Sequence, residues 1–271
     1  MFFRVIIPTY GIEPKLQEAI ASIKAQEDFD KLATIVVAHD NTKLEDWMCL
    51  NNESSSSVYP QYAFGVTHIF SPTQRWNGGN RNFAMSAIHD DSVYTLFLDH
   101  DDTIPDKRIL VKLHAFIEKN ARPDFVRLSY TKRYMSDGHS ITKHLRDATL
   151  SDVTKSNKVA PWTKCIRNSK LVEFPENTVF EDVIHHLKEC DVCDSYANFP
   201  DPVVEWRIWE GQTSTKKGPK WESSKFRFVA DLMDFQPKKK EVRIRRNYRI
   251  KTAIENIIKE QEEKNVSGEK G

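Results

Sequence analysis

Tyr94-Thr95-Leu96-Phe97-Leu98-Asp99-His100-Asp101-Asp102 decides the reading of this chain. A short apolar run of strand length ends abruptly, and three carboxylates follow within four residues. Working upstream, Phe2 to Ile7 is apolar apart from Arg4, as expected for a strand covered on both faces, and Pro8 closes it. Leu32 to Ala38 and Val66 to Phe70 read as two further strands. Between the first strand and Leu32, Pro14 in a first turn and Leu16, Ile20 and Ile23 at helical spacing predict a helix. Asn51 to Ser57 reads as a surface loop. Gly78-Gly79 is read as a break before a helix that presents Phe83, Ala84, Ala87 and Ile88. Downstream of Pro105, Ile109, Leu110, Leu113, Phe116 and Ile117 mark another amphipathic helix, and Phe125 to Ser129 returns to strand. This alternation predicts an α/β fold, a mostly parallel sheet with helices on both faces.

Open sheets of this kind bind ligands beyond the carboxyl ends of their strands. Here those ends are Pro8-Thr9-Tyr10, His39-Asp40-Asn41 and Asp99-His100-Asp101-Asp102, three polar clusters expected to line one crevice. Three carboxylates so close together repel one another, and a divalent cation among them relieves the repulsion. Hard oxygen donors of this type suit Mn²⁺ or Mg²⁺ bridging substrate phosphates. The plainer alternative is an acidic surface turn ahead of the helix after Pro105.

Past residue 130 the pattern loosens. The tail opens with KKKEVRIRRNYRIK (238–251), carries Ile250, Ile254, Ile257 and Ile258 at helical spacing, and ends in a polar segment. A basic run of this kind is a solvated face, a contact for an anionic membrane surface, or a surface that packs on the rest of the chain. The solvated face is the default. The division expected is a catalytic domain over 1–215, with halves 1–130 and 131–215, and a partly helical basic extension over 216–271.

The bulk properties narrow the function classes. Hydrophobic residues make up 39% and charged residues 29%, as in an ordinary globular chain. The formal charge of +1 gives no general signal for nucleic acid. No apolar stretch reaches the roughly eighteen residues that span a bilayer. No export signal is read at the start, so the expectation is a cytoplasmic protein, peripheral at a membrane if the tail binds one, with reduced cysteines. His186, Cys190 and Cys193 fall on one helical face, but a zinc site there lacks an obvious fourth ligand, and buried packing is the preferred reading.

At this point the chain resembles the family 2 glycosyltransferases of the GT-A fold. VIIPTYG (5–11), IVVAHDN (35–41), GGNRNFAMSAI (78–88) and LFLDHDD (96–102) resemble the family's donor-side segments in order and spacing. PWTKCIRNSKL (161–171), FPEN (174–177) and FEDV (180–183) resemble its acceptor side. The resemblance covers roughly residues 3 to 215. It implies an inverting, nucleotide-sugar-dependent transferase of the kind used in polysaccharide biosynthesis. Pro8, Thr9, Tyr10, Asp40, Arg81 and Asp99 would then contact a donor, probed first as a UDP-sugar, and Asp99 and Asp101 would hold Mn²⁺ or Mg²⁺. Asp182 would be the general base, with Glu181 and Trp162 on the side of a saccharide or lipid-linked hydroxyl acceptor. Trp162, like Trp206 and Trp209, could equally stack on a sugar or fill a late core. Two departures stand out: His39 occupies a position where the family often has aspartate, and residues 203–214 contain no histidine to join a metal.

Two rivals remain at this stage. Asp99-His100-Asp101-Asp102-Thr103 also fits the nucleophile loop of haloacid-dehalogenase-type phosphohydrolases, with Ser129 ending a later strand. Several strands precede that loop here, however, and the acceptor-side segments are left without a role. A sugar-nucleotide-binding protein without catalysis would need no base at Asp182.

Overall fold

The computed structural model describes the whole chain except residues 11–14, 43–64, 72, 88–90, 145–148, 156–158, 177, 179, 210–218 and 269–271, and it leaves out the side chains of 219–223 and 264–268. Pro14, Ile88 and the 51–57 segment therefore lie outside the described residues. The elements run β1 (Phe3–Tyr10), α1 (Lys15–Lys24), α2 (Phe29–Leu32), β2 (Ala33–Asp40), β3 (Val66–Phe70), α3 (Trp76–Ala87), β4 (Tyr94–Phe97) and α4 (Ile109–Lys119). They continue with β5 (Phe125–Tyr134), β6 (Ser140–Lys143), α5 (Leu150–Lys155), β7 (Lys164–Arg167), α6 (Glu181–Val192), β8 (Tyr196–Ile208), α7 (Pro219–Asp234) and α8 (Lys240–Gly268).

One sheet carries the order β3-β2-β1-β4-β7-β5-β6, with β8 alongside β5. The strands β3, β2, β1 and β4 are parallel, and β7 enters antiparallel between β4 and β5. The strand order reverses direction between β1 and β4, so the crevice at their carboxyl ends is the ligand position this class of sheet favours. Residues of alternate parity face two layers. Phe3, Val5, Ile7, Ile35 and Val37 pack with α1 and α4, whereas Ile6, Val36, Ala38 and Phe97 pack with Ala84 of α3 and Phe174.

Two sequence readings are corrected. Pro8 does not end β1, which runs on to Tyr10 paired with Asp40. Ile6 turns its carbonyl toward β4, where it accepts the Leu98 N–H at 3.0 Å. Pro8, two residues on, faces the same side beyond the last paired residue of β4, so the missing N–H breaks no ladder. Gly78 and Gly79 do not break the chain either, because they lie inside α3. A Cβ on Gly78 would stand 2.4 Å from the Pro175 carbonyl oxygen, so glycine lets the helix approach that segment. The buried residues of α3 are accordingly Gly78, Gly79, Asn80, Arg81 and Ala84.

The second half is more ordered than its sequence suggests. β5 and β8 pair in parallel from Phe125↔Tyr196 to Tyr134↔Ile208, with a register shift around Ser129. A second apolar cluster joins Phe125, Ile166, Ile184 and Leu187 to Phe228, Leu232 and Val242 of α7 and α8. The basic run is largely tied to the body. Asp191 accepts the Lys238 and Lys239 N–H groups at 3.0 and 2.8 Å, and Arg246 Nη1 donates to the Phe235 carbonyl at 2.6 Å. Ile250 and Ala253 pack on the cluster, while Ile254 and Ile258 remain exposed. Among the described residues, no helix is long and apolar enough to cross a membrane.

Candidate active site

The end of β2 fixes the start of α3. Asp40 is buried, and its two carboxylate oxygens accept the Arg75 and Trp76 N–H groups at 2.6 and 2.9 Å. These are the unpaired donors of a helix start, and an aspartate answers both their geometry and the helix dipole. It also holds Trp76 at φ +62°, a strained value for that residue. One turn on, Asn80 Nδ2 donates to the Ala38 carbonyl at 2.7 Å and the Thr9 carbonyl at 3.3 Å, joining α3 to the ends of β2 and β1. The next residues, Arg81 and Asn82, reach the rest of the site.

Arg81 is only 4% exposed at its side chain. Its Nη2 donates to Asp99 Oδ1 at 2.7 Å, and its Nη1 donates to Glu181 Oε1 at 3.3 Å. This answers why a cation sits near a helix start, where the dipole alone disfavours it. The guanidinium joins the strand-end carboxylate to the first residue of α6. Asn82 fixes the intervening segment, donating to the Phe174 carbonyl at 2.9 Å and accepting the Phe174 N–H at 2.8 Å. Three of the residues singled out from sequence, Arg81, Asp99 and Glu181, thus meet in one chain of contacts.

The carboxylates around this chain differ in environment. Asp99 is one-third exposed and Asp101 half-buried, so both remain accessible to solvent at the end of β4. Asp102 is turned inward, where Oδ1 accepts the Arg207 N–H at 2.8 Å. Burial, helped by the charges of Asp99 and Asp101, pushes its carboxyl well above the usual range. Main-chain bonds between Thr103 and Glu205 clamp the acidic turn to β8. Burial raises Glu181 to about 7, against the pull of Arg81 and with help from Asp182 and Asp99. Asp182 is also raised by burial, opposed by Lys164, its bond from the Val183 N–H and Arg81.

Other sequence candidates fall in different places. Thr9 is buried at the end of β1, while Tyr10 is 52% exposed and its hydroxyl accepts from Asn41 Nδ2 at 3.2 Å. Pro8 precedes them on the face of Asp40. Trp162, expected on the acceptor side, is instead 5% exposed and packs edge-on to Tyr130 at 4.9 Å and against Trp206 at 5.4 Å. Its ring face belongs to the core, and this part of the expectation gives way. Trp206 and Trp209 each carry a lysine ammonium over the ring, Lys132 at 4.3 Å and Lys15 at 3.9 Å. His39 is buried, with Nε2 2.9 Å from His68 Nδ1, and stacks on Phe70. Burial lowers His68 to about 4, so it is neutral at physiological pH. His186 lies near Val153 O at 2.8 Å, and the Cys190 and Cys193 thiols are raised by burial, so these side chains act as packing groups.

Among the described residues, no three His, Cys, Asp or Glu side chains converge on a common point. Mg²⁺ and Mn²⁺ often take only one or two carboxylates and complete their shell with phosphate oxygens and water. Asp99 and Asp101, partly exposed hard oxygen donors at the end of β4, fit that mode. Sequence reasoning missed Asn80, Asn82 and a buried group beneath α6. Lys164 Nζ donates to Glu189 Oε2 and lies 3.2 Å from His185 Nδ1, all three side chains essentially inaccessible. The signal was a lysine inside the apolar strand TKCI (163–166) and a glutamate in HHLKEC (185–190).

Comparison with solved structures places the architecture. A fragment of S. aureus TarS in complex with UDP-GlcNAc superposes with a TM-score of 0.69 at 20% identity, over 90% of this chain and 69% of that one. A second structure of S. aureus TarS gives 0.64 at 18% identity, over 90% of this chain and 41% of that one. The mannosyltransferase PcManGT from Pyrobaculum calidifontis, in complex with GDP-Man and Mn²⁺, gives 0.58 at 14% identity, over 92% of this chain and 68% of that one. These likenesses are of fold, and the expected GT-A architecture is the one found. No curated protein sequence matches the chain. The sequence model described as "Glycosyl transferase family 2" matches residues 4–161, a span that includes β1, Asp40, Arg81 and the acidic turn. With more than half its length in that match, this chain belongs to glycosyl transferase family 2.

Proposed function

We propose that this glycosyltransferase moves a sugar from a UDP-linked donor to the hydroxyl of a saccharide or lipid-linked acceptor, with inversion at the anomeric carbon. The observation that carries the reading is the Arg81 bridge, which ties Asp99 at the donor strand end to Glu181 beside Asp182. In this reading the two groups needed for a single displacement, a donor site and a base, border one crevice. Structures of similar fold hold UDP-GlcNAc or GDP-Man, which supports a nucleotide-sugar donor.

In this reading Pro8, Thr9, Tyr10 and the turn organised by Asp40 line the nucleoside side. Asp182 accepts the acceptor's hydroxyl proton as the oxygen attacks the anomeric carbon and the bond to the diphosphate breaks. Glu181 orients the acceptor, and Arg81 holds Glu181 and Asp99 at fixed separation. A Mn²⁺ or Mg²⁺ ion on Asp99 and Asp101 would offset charge on the departing nucleoside diphosphate. Residues 1–130 serve as the donor half, 131–215 as the acceptor half and 216–271 as a supporting extension.

The phosphohydrolase alternative loses its later-strand serine. Ser129 is buried and donates to the Phe199 carbonyl at 3.1 Å, away from solvent. The test is product stereochemistry with a panel of UDP-sugars. An α-linked donor is expected to give a β-linked product by its anomeric coupling constant, and a retained configuration overturns the mechanism.

A further inference from the structure

Lys164 lies at the start of β7, fully buried, with its ammonium aimed at α6. On that helix Asp182, His185 and Glu189 follow one another at i, i+3 and i+7, which puts them along one face. The ammonium donates to Glu189 Oε2 and stands 3.2 Å from His185 Nδ1. His185 Nε2 lies 2.9 Å from the Val172 carbonyl, which has no proton to give, so Nε2 carries the proton and Nδ1 accepts from Lys164. His185 is therefore neutral, as its burial also demands. The result is a buried ion pair lying along α6, its positive end nearer Asp182 and its negative end at Glu189.

Such a pair is a poor device for stability alone. Burying two charges costs more than a well-packed apolar pair commonly would, so its retention asks for another role. Its direction supplies one. The positive end lies at His185, one turn past Asp182, and its field there adds to the helix dipole felt by Glu181 and Asp182 at the head of α6.

We propose that Lys164 is a positioning residue for the transfer reaction, its ammonium held by Glu189 and His185 so that Asp182 stays in its ionised, proton-accepting form. The proposal rests on Asp182 being the base. Among the described residues, the charged or titratable groups that face Asp182 are Glu181 and the neutral His185 on its own helix, Lys164 from β7, Arg81 from α3 and Arg249 from α8. Glu181 opposes ionisation of Asp182, and the three cations favour it.

The experiment is the pH dependence of kcat/KM for wild type, Lys164→Met/Glu189→Gln and Glu189→Gln, each checked for folding by circular dichroism. Removing both charges is expected to move the acid limb up by about one pH unit, a roughly tenfold loss on that limb that is recovered at alkaline pH. Donor KM stays unchanged. Glu189→Gln, which keeps the slot filled and removes only the negative end, moves the acid limb down and serves alone if the double variant does not fold. An acid limb that stays in place in a folded variant overturns the proposal. Asp182→Asn separates the two readings: if it transfers sugar at the wild-type rate, the base assignment has failed. If it is inactive while the limb does not move, only the role of Lys164 has failed.

Discussion

Arg81 and Asp99 form a 2.7 Å ion pair across 18 residues of sequence, and the same guanidinium reaches Glu181 a hundred residues further on. The carboxylate at the end of β4 and the one at the head of α6 are thereby coupled through one buried cation. Its neutral replacement would leave two carboxylates facing each other, so each partner in the bridge has an assigned consequence.

The metal prediction concerns Asp101, which is half-buried two residues past Asp99. UDP should bind the wild-type protein more tightly with Mn²⁺ than with chelator. Asp101→Ala should abolish that difference and leave the melting curve unchanged, since the side chain is not part of the core. Calorimetry reads both, and equal wild-type affinity with and without metal would sink the assignment.

For Asp182, a residue used mainly in the transition state should affect turnover far more than donor binding. Asp182→Asn is expected to cut transfer at least about a hundredfold, the scale of general base catalysis. Donor affinity should stay within about threefold, because the amide preserves shape. Transfer measured at saturating UDP-sugar decides the matter, with near-normal turnover being fatal to the assignment.

Glu181 supplies a stability prediction with a definite sign. Burial raises its carboxyl from 4.5 to about 7, so the folded chain binds this proton more tightly than the unfolded one. The contribution is fully present below pH 4.5 and is lost as pH rises through about 7. Its upper size is on the order of 3 kcal/mol. Between pH 5 and 8, urea unfolding of Glu181→Gln should lack this downward component, and identical slopes in the two proteins would refute it.

Gly78 tests the packing of α3. Gly78→Ala places a carbon against the Pro175 carbonyl oxygen, a backbone atom that cannot swing away. The expected cost is about 2 kcal/mol or more, in the range of overpacked cores. Gly138→Ala, in open space at φ +71°, should cost only about 1 kcal/mol. Equal midpoints for the two variants in urea would show that α3 has room to shift.

The donor-side architecture was legible because its strands are continuous apolar runs and its helices keep a 3.6-residue period. Val66–Phe70 and Ile109–Lys119 lie where those patterns put them. Pro8 and Gly78 were misread because local propensity was overruled by neighbours far away in sequence, the end of β4 in one case and Pro175 in the other. Trp162 could not be assigned from sequence, since an indole suits a sugar face and a core equally well. β8 was illegible for a different reason: its pairing with β5 is long-range and interrupted by register shifts. Lys164 and Glu189 belong to residue types that are almost never fully buried unless paired, and pairing across 25 residues leaves no periodic trace.

The second apolar cluster has a consequence for synthesis. Ile184 and Leu187, on the helix that begins with Glu181, are covered by Phe228, Leu232 and Val242. A chain growing from its N-terminus exposes that helix to water until some sixty further residues have left the ribosome. A transcript interrupted near residue 215 would yield a product with its donor-side strands in hand and an uncovered greasy face beside the acceptor helix, a species suited to aggregation and to capture by chaperones.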